Sequence, residues 1–291
     1  MMPRITGEKA LGILFGTLAG AMWSIEAIIG KTLLSSLGFM QVAASEAFFA
    51  SITSLAYMVL SRRPLSSKGL SLRDILVVGV VGSVIAPAAY FLGLSWTLAI
   101  NATLLAHIQP LFVSILGLIF LNERLCRDDV FGGLMIGLAA ILITSRNIEN
   151  LAALRIGNLG DIIVLLATLG WAAVAIPGKR LAKAADSALI VSYRFLIASA
   201  VLLPIMAVSN QLAINSVYQI VLGVVACLGY MFYYEGLKRI KASQVALTEL
   251  SSPFFTAILA WLILNEHLTI MQVIGAALLI IGLVLLARKE R

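Results

Sequence analysis

The chain has 291 residues, of which 61% are apolar and 12% charged, with a mean hydropathy of +1.03. Soluble domains average roughly 45–50% apolar and about 25% charged, so this composition excludes an ordinary soluble protein and points to an integral membrane protein. The net charge of +7 implies no nucleic-acid partner, because the basic residues fall between apolar segments and not on a soluble face.

A helix needs about 20 mostly apolar residues to cross the hydrocarbon core. The first such run, 11–30, follows a mildly basic start but is too long for a signal-peptide core and lacks a small-x-small cleavage site, so it reads as a span. Its glycines Gly16, Gly20 and Gly30 suit close helix packing, while Trp23 and Glu26, one turn apart, suit a pocket for a cationic or zwitterionic amine. Spans 39–60 and 74–95 carry Glu46 and Tyr90. Span 101–121 sets Thr103, His107, Pro110 and Ser114 on one face with Gln109 close by. His107 is either a structural residue or, if wet, a proton relay, since an ordinary imidazole titrates at about 6.5.

Span 128–145 is plain, and 159–178 carries Trp171. Span 188–208 holds Arg194, and 217–237 holds Tyr230 and Tyr234 at helical spacing, an interfacial belt or a binding wall. Span 244–264 is the most polar: Glu249, Ser252 and Thr256 recur at i, i+3 and i+7, with Gln244, Thr248 and Ser251 on the adjoining strip. Such a stripe must turn inward, and Pro253 within it removes a backbone donor, so this face is expected to line a pathway. Span 270–287 is the last. Ten spans put both termini on one side; that side collects seventeen basic residues between Arg4 and Arg291, the other only Lys31, Arg146 and Arg155. The positive-inside rule then places both termini in the cytoplasm and the protein in the cell (plasma or inner) membrane.

The chain also repeats itself. "LNERL" at 121–125 and "LNEHL" at 264–268 lie 143 residues apart, each eleven residues after a proline, and Gly132 matches Gly275 at the same offset. Further upstream the offset becomes 148, pairing Trp23 with Trp171 and Gly30-Lys31 with Gly178-Lys179. Residues 1–147 and 156–291 therefore read as two copies of a five-span unit joined by an extracytoplasmic linker, 148–155. Five is odd, so the copies enter the membrane from opposite sides, as in the inverted repeats of secondary transporters. The expected fold is an all-α membrane protein of ten transmembrane helices in two inverted five-helix repeats. With its tryptophan in the first helix of each repeat and the twofold P…LNE-x-L, the sequence resembles the EamA-type drug/metabolite transporters over nearly its full length. The resemblance implies a ten-helix exporter of amino acids, related metabolites or drugs.

A charge at the centre of a span costs roughly 2.5–3.5 kcal/mol on insertion scales, so Glu26, Glu46, His107, Arg194 and Glu249 each need a reason. Glu46 and Arg194 occupy equivalent positions in the two repeats and are expected to form an ion pair, as a structural lock or a gate. Glu26 and Glu249 are candidates to couple transport to protons. The asparagine and glutamate of the LNE words read as turn chemistry at the hairpins that follow them. Cys126 and Cys227 make no disulfide or zinc pattern. The usual hydrolase and metallopeptidase signatures and a P-loop are absent, so no catalytic residue, metal or cofactor is expected. The reading is a secondary transporter of a small organic solute, possible rivals being an uncoupled facilitator and an intramembrane lipid-modifying enzyme.

Overall fold

The computed structural model describes residues 7–64, 70–121, 127–154 and 157–288. The first half comprises α1 (Gly7–Leu33), α2 (Phe39–Leu60), α3 (Leu72–Val80), a π-helical turn (Val81–Ile85), α4 (Ala86–Trp96), α5 (Ala99–Ala106), α6 (Gln109–Leu121) and α7 (Arg127–Ser145). A short α8 (Ile148–Ala152) leads to α9 (Leu159–Ala173), α10 (Ala175–Ala184), α11 (Ser187–Val208), α12 (Val217–Arg239), α13 (Ala242–Glu249) and α14 (Ser251–Leu259). A second π turn (Ala260–Leu264) and α15 (Ile270–Arg288) complete the described chain.

Eight helical stretches are long and apolar enough to cross a bilayer, and α9 with α10, bent by 40°, makes a ninth as a broken span. The apolar part of α7, Val130–Ser145, is shorter. The ten expected runs thus recur as ten helical stretches, nine of which qualify by length and composition among the described residues. Where helices break, proline is at hand. Pro177 cannot donate to Ala173, where α9 ends, and the helix that was expected to stop at 178 turns there and runs on to Ala184.

The packing is twofold in its logic. α1 packs on α12, α13 and α14, while α9, its counterpart, packs on α4, α5 and α6; α7 pairs with α15. Individual glycines repeat the pattern. A Cβ on Gly93 of α4 would lie 2.7 Å from the carbonyl oxygen of Gly160 of α9, and one on Gly160 would lie 2.6 Å from that of Gly93. The equivalent residues Gly236 of α12 and Gly12 of α1 also meet, at 3.6 Å. Likewise Gly30 abuts Phe91 and Gly178 abuts Tyr234, the positions related by the offsets 148 and 143. Bilayer lipid gives helices no hydrophobic reason to associate, so close backbone approach through small residues supplies the packing.

Candidate functional site

The most constrained group in the centre is Arg194 of α11, 3% exposed. Its Nε donates to Ser83 Oγ at 2.7 Å, Nη2 to the Gly82 carbonyl at 3.0 Å and Nη1 to the Tyr234 hydroxyl at 3.3 Å. Its guanidinium lies 3.5 Å from the Tyr230 ring centroid. The π turn makes this cradle. The N–H of Ala86 bonds back to Val81, five residues away, and the donor that would then serve Gly82 is that of Pro87, which has none. Gly82 therefore keeps a free carbonyl in the core, and Arg194 and the Trp171 indole (3.3 Å) both donate to it.

This geometry corrects the expected partnership of Arg194 with Glu46. No ion pair within 4.0 Å joins them among the described residues; the arginine is spent on α12 and the π turn instead. Glu46 is 2% exposed and Glu26 of α1 is 8% exposed, near enough to each other and to Arg194 to interact electrostatically. The Oε2 atom of each carboxylate is buried with no hydrogen-bond partner. Aromatic rings surround them: Trp23 meets Tyr230 edge-on at 4.6 Å, and Tyr90 meets Trp171 at 5.4 Å.

A second polar layer joins α1, α5 and α13. Trp23 Nε1 donates to Glu249 Oε1 at 3.1 Å, and the His107 ring lies 2.8 Å from the Thr103 carbonyl through Nδ1 and 2.9 Å from that of Glu249 through Nε2. The helix breaks fall at His107–Ile108 and at Leu250, three residues before Pro110 and Pro253 and not at the prolines themselves. Each proline sits in the first turn of the next helix, where a missing N–H is tolerated. Gln109 donates to the Trp171 carbonyl at 3.2 Å, across from α6 to α9.

Much of the polar strip on α13 and α14 is spent on helix packing. Thr248 sits against Gly16 and Ser251 against Gly20, while Ser24 donates to the Ser252 carbonyl at 2.9 Å. Gln244 accepts from the Lys241 N–H at 3.2 Å and caps the start of α13. Of the strip, Glu249 alone reaches the central aromatic group through a hydrogen bond that the structure records, to Trp23.

The hairpin between α4 and α5 is held by a network that the sequence reading missed. Lys31 at the end of α1 donates to the carbonyls of Leu94 (2.7 Å) and Thr97 (2.6 Å). Glu266 accepts from the N–H groups of Ala99 (2.9 Å) and Ile100 (3.1 Å), an anion at a helix N-terminus. Buried Asp161 accepts from Thr97 Oγ1 and, at 3.2 Å, from Asn101, whose amide oxygen accepts from Gln272 at 2.6 Å. Glu266 therefore serves α5 of the other half, and not the hairpin to α15 for which it was expected; Asn265, at a φ of 55°, makes that turn. The matching Glu123 lies outside the described residues. A cavity of about 570 Å³ opens beside this hairpin, lined by Lys31, Thr32, Leu98, Asn265 and Glu266 among others. Among the described residues no three His, Cys, Asp or Glu side chains cluster as metal ligands.

The chain matches the EamA-like transporter family twice, over residues 10–145 and 158–288. It belongs to that family. Among relatives of this EamA-like chain, the pseudopaline exporter CntI of Pseudomonas aeruginosa strain PAO1 is 24% identical over 287 residues, covering 96% of this chain and 97% of that one. YyaM of Bacillus subtilis strain 168, described as an uncharacterised transporter, is 28% identical over 216 residues, 71% of this chain and 70% of its own. The riboflavin transporter ImpX of Fusobacterium nucleatum is 25% identical over 201 residues, 64% of this chain and 65% of its own. A solved crystal structure shares the fold at a TM-score of 0.68 and 17% identity, over 97% of this chain and 99% of that one. The EamA-like chain is thus a multi-pass membrane protein of a transporter family.

Proposed function

We propose that this protein is a secondary transporter of a small organic solute, such as an amino acid, metabolite or drug, that works by alternating access and exports its solute from the cytoplasm. The observation that carries the reading is the buried and half-buried polar layer at the junction of the halves. Trp23, Glu26, Glu46, Tyr90, His107, Trp171, Arg194, Tyr230 and Glu249 come from both halves and gather where α5–α6 and α13–α14 break. Broken helices beside buried charge are how transporters build a midplane site. Two inverted five-helix units, 1–147 and 156–291, would rock about this layer, with 148–155 as their linker. Relatives named as a pseudopaline exporter and a riboflavin transporter support the solute class.

The distribution of basic residues supports a cell-membrane location with both termini cytoplasmic. On that orientation the α4–α5 hairpin network and the cavity beside it lie on the extracytoplasmic side. Glu26 and Glu249 are the groups we assign to proton coupling. Flux of a bound solute in proteoliposomes, with and without a pH gradient, tests the coupling. A gradient-dependent flux supports it, whereas identical fluxes leave an uncoupled facilitator. Turnover of a lipid with no solute flux would replace the transporter reading by the intramembrane enzyme.

A further inference from the structure

Resting on the transporter reading, the charge balance of the central layer points to the class of solute. Among the described residues Arg194 is the cation that interacts electrostatically with both Glu26 and Glu46, and three of its five N–H donors go to Ser83, Gly82 and Tyr234 while its flat face covers Tyr230. The two carboxylates instead each keep an unpartnered, buried oxygen. One arginine balances one carboxylate, so the cluster is short of one positive charge when both are ionised. A buried charge without a partner is costly, and a buried oxygen without a donor is costly as well.

We infer that the Glu26–Glu46 pair is a cation site that takes the ammonium group of an organic amine, whose apolar body lies against Trp23 and Tyr90. Three N–H donors on one ammonium match two waiting oxygens, and indole and phenol faces attract the same charge. Arg194 serves as the fixed internal counter-ion, which holds the pair at a single net negative charge and makes the site repel anions. Lys31, the nearest other cation on α1, is committed to the Leu94 and Thr97 carbonyls and does not supply the missing charge.

The test uses four probes with one ring and different heads: phenethylamine (cation), phenylalanine (zwitterion), 2-phenylethanol (neutral) and 3-phenylpropionate (anion). Thermal unfolding of the purified full chain and quenching of its tryptophan fluorescence report binding. Phenethylamine is expected to bind most tightly and phenylpropionate least. Glu26→Gln and Glu46→Gln should each weaken phenethylamine by about ten- to a hundredfold, the worth of a hydrogen bond to a charged group. Glu26→Asp, which keeps the charge, should recover part of the loss, and the variants' unfolding curves without probe show that they are folded. Phenylpropionate or phenylethanol binding as tightly as the amine, amine binding unchanged in both glutamine variants, or no binding of phenethylamine to the wild type would each overturn the cation site. Phenethylamine that binds as expected but shows no flux in proteoliposomes would overturn the transporter reading and leave the cation site standing.

Discussion

The imidazole of His107 spans two broken helices: its Nε2 lies 2.9 Å from the backbone carbonyl of Glu249, the carbonyl to which Pro253 has no N–H to donate. With the ring N–H on Nε2, a side chain from the break in one half supplies the donor that the break in the other lacks. His107→Ala should destabilise the protein by about 1–3 kcal/mol through the unsatisfied carbonyl. Adding Pro253→Ala, which restores a backbone donor, should return part of that loss in thermal unfolding of the double variant. Strictly additive effects of the two substitutions would refute the linkage.

Arg194 is expected to be the least replaceable side chain of the centre. Arg194→Met leaves the carboxylates of Glu26 and Glu46 without a counter-ion and should cost about 3–5 kcal/mol, the usual penalty for stripping one partner from a buried charge cluster. Combining it with Glu46→Gln removes one carboxylate charge and should restore folded yield, read by size-exclusion chromatography in detergent. A double variant no better than Arg194→Met would show that charge balance is not what the arginine provides.

The network on the α4–α5 hairpin makes a prediction about one face of the molecule. Asp161→Asn weakens the contacts to Thr97 and Asn101, and Glu266→Gln removes the anion from the start of α5; each should lower stability by about 1.5–3 kcal/mol. Both should also raise the reactivity of a cysteine placed at Ile100, now 1% exposed, toward a membrane-impermeant maleimide. Asn101, Ala102 and Thr103 spell an N-x-[ST] glycosylation sequon, which should stay unmodified in a glycosylating host because Asn101 is fully buried and bonded to Asp161 and Gln272.

Where Gly93 and Gly160 meet, neither position has room for a side chain. Gly160→Leu would drive α9 away from α4 and should cost about 1–3 kcal/mol or more by overpacking. The same substitution at Gly137, which has nothing within 4 Å of an added Cβ, should be nearly neutral in the same unfolding assay.

Span positions were legible because twenty-residue apolar runs have few alternatives: 39–60 and 188–208 agree with α2 and α11 to within a residue. The repeat was legible for a similar reason, since matched tryptophans and glycines stand out from a background of Leu, Ile and Val. The environment of Arg194 was not. It depends on a π turn that frees Gly82, and although Pro87 was a usable signal, only the fold brings α11 beside that turn. Asp161 and Asn101 were missed because they stand at helix starts, where polar residues read as caps; Asn158 and Asp161 do form a capping box, and the network is added to it. The polar strip of α13 and α14 packs largely on α1 and not on a pathway, because periodicity shows that a face turns inward, not whether it meets water or another helix.

Alternating access requires the two halves to carry a solute by turns. The direct measurement is counterflow of phenethylamine in proteoliposomes preloaded with the unlabelled amine and diluted into a trace of the labelled one. Alternating access predicts a transient accumulation of label above its equilibrium level in wild-type vesicles and none in Glu26→Gln. Entry of label that rises only to equilibrium, equal in both proteins, would contradict it.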